Sequence, residues 1–166
     1  MFDILFFKGA FFYLMEKAYY KSFLGNLLII IDKQKVARIS FVEEIGEKND
    51  KPSQVMEKTI KQISEYFQGT RTQFELPLQM NGTDFQVRIW KLLSLIPFGS
   101  TMAYVKVAKK FGDSKMIRAV ISAVIKNPLS IVIPCHRIIG SDGSMVGYSG
   151  GIKTKRLLLE HEGYPK

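Results

Sequence analysis

One cysteine and two histidines, Cys135, His136 and His161, are the only thiol and imidazole side chains in this chain of 166 residues. An internal disulfide is therefore impossible, and so is a thiolate-rich zinc site. The fold has to rest on buried apolar side chains, and this length supports one sizeable core or two small ones. Hydrophobic residues make up 46% of the chain and charged residues 23%, a balance that argues against disorder. No apolar stretch reaches the ~20 residues a membrane span needs. Residues 1–7 are apolar but carry neither a basic leader nor a small-residue cleavage site. A free thiol fits a reducing compartment, so a soluble intracellular protein without metal or cofactor is expected.

The net charge of +9 is unevenly spread. Residues 1–100 hold 13 Lys/Arg against 11 Asp/Glu, whereas residues 101–166 hold 11 against 4. A basic half of this kind suits a polyanion, most often nucleic acid, although a solvated basic face without a partner has the same composition.

Hydrophobic spacing divides the chain in two. Residues 25–42 read as a β-hairpin around the polar turn Asp32-Lys33-Gln34-Lys35, with Val36, Ile39 and Phe41 on its second strand. A helix follows from Pro52-Ser53 to about Gln68, with Val55, Met56, Ile60, Ile63 and Phe67 on one face and Gly69 as its stop. Residues 76–82 look like a connector. Beyond it, Asn81 or Thr83 is placed to cap a helix carrying Phe85, Ile89, Leu92 and Leu93. A second helix is expected from Ser100-Thr101 to about Phe111, and a third from Ser114 to Lys126, ended by Asn127-Pro128. Two short helices joined through Gly112 suggest a helix-turn-helix. Five glycines lie between positions 140 and 151, and a last helix spans about 152–161.

The chemistry concentrates at Ile131-Val132-Ile133-Pro134-Cys135-His136-Arg137. Three β-branched residues read as a short buried strand that Pro134 terminates, leaving Cys135 where the strand gives out. An unassisted thiol titrates near ~8.5 and is a weak nucleophile at neutral pH. His136 is the nearest base, directly or through one water, and Glu162 at the end of the last helix is the best-placed carboxylate to orient it. A cysteine hydrolase would use the same trio, so the residues alone leave the reaction open.

The chain resembles the O6-alkylguanine-DNA alkyltransferases, proteins that repair DNA by direct reversal. The resemblance is carried by Glu65-Tyr66-Phe67-Gln68-Gly69, by Gly82-Thr83-Asp84-Phe85-Gln86 through Trp90, and by Ile96-Pro97-Phe98-Gly99 with Tyr104. It continues through Arg118-Ala119-Val120, Asn127-Pro128, Ile133-Pro134-Cys135-His136-Arg137-Ile138-Ile139 and Gly147-Tyr148-Ser149-Gly150-Gly151, with Lys155 and Glu162. It implies an α+β chain: a ribonuclease H-like α/β domain over residues 1–78, then a mostly helical domain over 79–166. The second domain would carry a winged-helix-like helix-turn-helix, DNA binding and alkyl transfer.

The resemblance also implies roles. Cys135 would take the alkyl group from O6 of guanine as a permanent thioether, with His136 and Glu162 forming the relay behind it. Asn127 would brace the turns, and Tyr104 would donate a proton toward the departing guanine. Tyr148, Ser149, Ile138 and Lys155 would line the substrate pocket. Arg118 would fill the gap left by the flipped nucleotide, with Ser114, Ala119, Ser122 and Arg137 also facing DNA. The expected partner is double-stranded DNA bound through its minor groove by a monomer. Four positions depart from the usual pattern: Ile121 and Ser122 stand where small residues are common, Ala103 precedes Tyr104 in place of serine, and Lys126 precedes Asn127 where glycine or another residue can sit. A bulky Ile121 would hold the helix off the groove floor. A lesion-binding relative without transfer is the alternative reading, and such proteins lack the cysteine.

Overall fold

The computed structural model describes residues 15–49 and 51–164, so residues 1–7 lie outside the described residues. Three strands, β1 (Glu16–Ser22), β2 (Gly25–Asp32) and β3 (Lys35–Val42), form an antiparallel meander whose second half is the expected hairpin. Lys33 and Gln34 link β2 to β3 with φ of 47° and 60°. Positive φ at both positions gives the twist a two-residue hairpin link requires. Leu27, Ile29 and Ile31 alternate inward along β2. On β3 the inward residues are Val36 and Ile39, three apart, because the register shifts beside Ile30 and Ile31. A bulge there adds one residue and brings both side chains to the same face.

Helix α1 (Gln54–Phe67) covers that face with Met56, Ile63 and Tyr66. Ser53 caps it by accepting from the Met56 amide at 3.3 Å. The connector then runs along the sheet, where Val36 N donates to Pro77 O and Gln79 N to Val36 O. Helix α2 (Asp84–Leu93) starts in a reciprocal cap between Thr83 and Gln86, an arrangement worth about 1 kcal/mol. Its Trp90 donates from Nε1 to Ala123 O at 2.8 Å, tying α2 to the helix that holds Ala123.

The second helix begins later than its sequence suggests. Met102–Ala103 (β4) pairs in parallel with Ile138–Ile139 (β5), so those backbone groups belong to a sheet and α3 (Tyr104–Lys110) starts after them. Gly112, with φ of 110°, turns the chain into a 3₁₀ turn at Ser114–Met116 and then α4 (Ile117–Ile125), completing the helix-turn-helix. Helix α5 (Ile152–His161) closes the order.

The strand expected at 131–133 is instead a succession of tight turns. Ile131 has φ of 73°, Val132 N donates to Ser130 O, and Ile133 N donates to Leu129 O. The β-branched run is buried, but its backbone bonds are local. Only the preceding residues meet the sheet, where Ile39 N donates to Pro128 O and Ser130 N to Ile39 O. The free edge of β3 thus holds the segment that leads into Cys135, and one apolar cluster runs from β2 to α5. Among the described residues no helix is long and apolar enough to cross a membrane.

Ile39 has no exposed surface, so Ile39→Ala should cost about 2–5 kcal/mol by urea denaturation. Arg38→Ala, on the exposed face of the same strand, should stay within about 0.5 kcal/mol.

Candidate active site

Cys135 opens a 3₁₀ turn, Cys135–Arg137, in which all three side chains are buried. Asn127 organises the approach to it. Its Nδ2 donates to Ile133 O at 2.8 Å and to Cys135 Sγ at 3.1 Å, and its Oδ1 accepts from Leu129 N at 3.0 Å. One amide side chain thereby supplies backbone partners that a strand ladder would have provided. Burial pushes the Cys135 thiol up to about 11, against the opposing pull of Asn127 and Lys155. At neutral pH the resting sulfur is a thiol.

Behind the thiol stand His136 and Glu162, both with fully buried side chains and 2.8 Å apart from Nε2 to Oε1. Burial alone would raise the Glu162 carboxyl, but hydrogen bonds from His136 and Arg137 outweigh it and hold the group well below the usual carboxylate range. An ionised carboxylate only accepts, so His136 Nε2 carries the proton and Nδ1 the lone pair. That Nδ1 is buried without a hydrogen-bond partner among the described residues. Burial also lowers the imidazole, partly offset by Glu162, which favours the neutral ring. The turn therefore presents a neutral base with its free lone pair beside a neutral thiol.

Arg137 departs from its expected role at a DNA surface. It is buried, donates to Glu162 from Nε at 2.8 Å and Nη2 at 2.9 Å, and donates to Ile96 O from Nη1. A buried carboxylate draws the nearest guanidinium inward, because an unpaired charge there costs several kcal/mol. The set is completed by Gly99 N, donating to Oε2 at 3.2 Å, and Tyr66 Oη, donating to Oε1 at 2.8 Å. Gly99 has φ of 71°, and a Cβ there would lie 2.9 Å from Glu162 O, so only glycine fits.

The other expected residues fall into two groups. Tyr104, Tyr148 and Lys155 surround the cysteine. Tyr104 donates to Val146 O at 2.8 Å, and burial with the nearby Cys135 sulfur pushes its phenol up to about 12. Lys155 donates to the same carbonyl at 2.9 Å, and burial brings its ammonium down to about 8. Its ammonium is spent on the loop, which it braces from below. Tyr148 is buried edge-on to His136, and its hydroxyl faces Ser130 without completing a bond of sound geometry. Ile138 is wholly buried in β5, so its side chain belongs to the core. Ser149 is exposed on the loop rim.

The second group lies on the helix-turn-helix. Arg118, Ala119 and Ser122 are exposed on α4, while Val120, Ala123 and Val124 face inward. Ser114 opens the 3₁₀ turn ahead of them. Ile121, expected to hold the helix off a groove, is half-buried and packs against the core. A cleft of about 660 Å³ lies behind the turn, lined among others by Phe74, Phe98, Val132 and Pro134. It touches none of Cys135, Tyr104 and Tyr148, so it is not where a group would meet the sulfur. No three His, Cys, Asp or Glu side chains among the described residues are grouped to hold a metal ion.

Tyr66 was the residue that sequence reasoning passed over. The available signal was its place three residues after Ile63 on the buried face of α1, where a phenol hydroxyl needs a partner.

Two family models match the chain: the 6-O-methylguanine DNA methyltransferase ribonuclease-like domain over residues 15–80, and the corresponding DNA binding domain over residues 84–164. A methylated-DNA--protein-cysteine methyltransferase from Mycobacterium bovis is 47% identical over 103 residues, 62% of each chain. One from Haemophilus influenzae is 39% identical over 153 residues, covering 89% of this chain and 86% of the relative. The crystal structure of Mycobacterium tuberculosis OGT in complex with DNA superposes with a TM-score of 0.77 at 36% identity, covering 87% of this chain and 90% of that one.

The buried pair fixes how stability responds to acid. The folded carboxyl of Glu162 and the folded imidazole of His136 both titrate below their unfolded values. The unfolded chain then binds more protons as pH falls, first near ~6.5 and then near ~4.3. Urea midpoints should fall as pH drops through both ranges, and Glu162→Gln should remove the lower component.

Proposed function

The chain belongs to the 6-O-methylguanine DNA methyltransferase family, and we propose that it repairs O6-alkylated guanine in double-stranded DNA by taking the alkyl group onto Cys135. The observation that carries this reading is the buried row of Cys135, His136 and Glu162, with the Nδ1 lone pair of His136 unclaimed. The thiol proton passes to Nδ1 through a bridging water, and Glu162 stabilises the imidazolium that forms. The sulfur attacks the alkyl carbon, the S–C bond forms, and the C–O6 bond breaks with its electron pair going to guanine. Tyr104, neutral and holding its proton, exchanges Val146 O for the base and supplies the proton guanine takes up; the imidazolium proton restores the phenol through solvent. The net products are a thioether on Cys135 and unmodified guanine.

A base inside the stack is out of reach of a buried sulfur, so the nucleotide is extruded at a cost of a few kcal/mol. Arg118, exposed on α4, enters the vacancy from the minor groove, where readout is degenerate and tolerance of sequence is high. Ala119 and Ser122 let the helix approach, and Ile121, turned to the core, leaves that approach clear. The DNA complex of the Mycobacterium tuberculosis neighbour supports DNA as the partner. Tyr148 and Ser149 frame the pocket. We further read the chain as an intracellular monomer whose domains meet near residues 78 and 79.

Two experiments test this reading. Mixed with O6-methylguanine duplex, the protein should gain one methyl on Cys135 and stop, as followed by intact mass; Cys135→Ser should gain none yet still bind DNA. Turnover beyond one equivalent per protein would point to a hydrolase. Arg118→Ala should slow duplex repair by about 1–3 kcal/mol in barrier, part of the unstacking energy, and leave the reaction with free O6-benzylguanine unchanged. Equal loss on both substrates would rule out the finger role.

A further inference from the structure

We propose that Tyr66 is a positioning residue for alkyl transfer: its hydroxyl, reaching from the N-terminal domain, holds the Glu162 oxygen on which His136 depends. The inference rests on the alkyl-transfer reading of the site and adds a residue of the other domain to it. Glu162 Oε1 accepts from His136 Nε2 at 2.8 Å, Arg137 Nη2 at 2.9 Å and Tyr66 Oη at 2.8 Å. Oε2 accepts from Arg137 Nε and Gly99 N. Four of these five donors come from residues 99–137, and Tyr66 alone comes from α1, 96 positions from Glu162.

Tyr66 is held at its backbone and at its hydroxyl by two consecutive residues, His161 at the end of α5 and Glu162 just after it. Glu162 takes its hydroxyl, and His161 Nε2 lies 2.8 Å from its backbone carbonyl. Its ring packs against Phe67, Phe74, Phe98 and His161, with centroids 5.1 to 6.1 Å away. Phenylalanine would fill the same space, so the packing does not need the oxygen. What the oxygen adds is a third donor on Oε1.

That donor competes with His136 for the charge on Oε1. Without it, more negative charge faces the imidazole and the ring becomes more basic. A resting imidazolium has no lone pair for the thiol proton, so reaction would fail at the acid end of the pH range. The charged and titratable groups around the pair are Arg137 and Tyr66 on Glu162, and Lys155, Tyr148 and Cys135 around His136. Replacing Tyr66 by phenylalanine leaves all the others in place.

The test is single-turnover reaction of the full chain with free O6-benzylguanine, which removes DNA binding from the measurement. For Tyr66→Phe, the acid limb of the pH–rate profile should move to higher pH, with a loss of about 3- to 10-fold near pH ~6. At the alkaline end the rate should stay within about threefold, since His136 is neutral there in both proteins. The control Phe74→Leu loosens the same aromatic cluster without touching Glu162; it should lower Tm and leave the limb in place. Site-specific 3-fluorotyrosine in place of Tyr66, a stronger donor of the same shape, should move the limb the opposite way. A Tyr66→Phe limb superimposable on wild type, or an equal shift in Phe74→Leu, would overturn the proposal. Absence of any mass gain on Cys135 in wild type would instead overturn the alkyl-transfer reading beneath it.

Discussion

A carboxylate with no exposed side-chain surface is expensive to desolvate, and Glu162 is such a group at the centre of this molecule. Much of the architecture follows from satisfying it. Arg137 is drawn inside to pair with it, Gly99 must lack a side chain to bring its amide close, and Tyr66 crosses from the other domain to add a phenol. Once those partners are in place, the carboxylate stays ionised and can only accept, and that settles which nitrogen of His136 carries hydrogen. Electrostatic demand at one position thus fixes a tautomer at the next.

A second constraint acts on the backbone. Residues 129–134 are buried yet belong to no strand or helix, so their amides and carbonyls need partners one by one. Asn127 serves two of them and the sulfur, and the edge of β3 serves Pro128 and Ser130. The N-terminal sheet therefore does more than complete a core: it is the surface on which the reactive turn is laid. Substitutions in β3 and in Asn127 act on the same segment from opposite sides, and their effects on stability are not expected to add.

How well the sequence foretold this depended on the range of the forces involved. Helices α1 and α2 were readable because their apolar faces repeat at helical spacing, and the stop of α1, Gly69, is local. The β2–β3 hairpin was readable from its apolar runs and the local polar turn Asp32-Lys33-Gln34-Lys35 between them. The run Ile131-Val132-Ile133 was misread because a buried turn and a buried strand share the same composition, and only the Asn127 bonds distinguish them. Met102-Ala103 was taken into a helix because its pairing with β5 is made 36 residues away. Arg137 is placed at DNA by the family resemblance, whereas the carboxylate that pulls it inside lies 25 positions further on. At the site itself, Cys135, His136 and Glu162 were legible from reactivity and motif; Tyr66 was hidden within an apolar stripe.

The same burial that orders the site also restrains it. A thiol pushed up to about 11 is inert toward solvent oxidants and adventitious electrophiles, because the thiolate is the reactive form. In the proposed reaction the proton leaves for His136, whose neutral form burial favours and the pull of Glu162 opposes. The depressed carboxyl and the raised thiol are two results of one buried network. Its readiness is set by hydrogen bonds drawn from both domains, so relay chemistry and domain packing are coupled through the same few atoms.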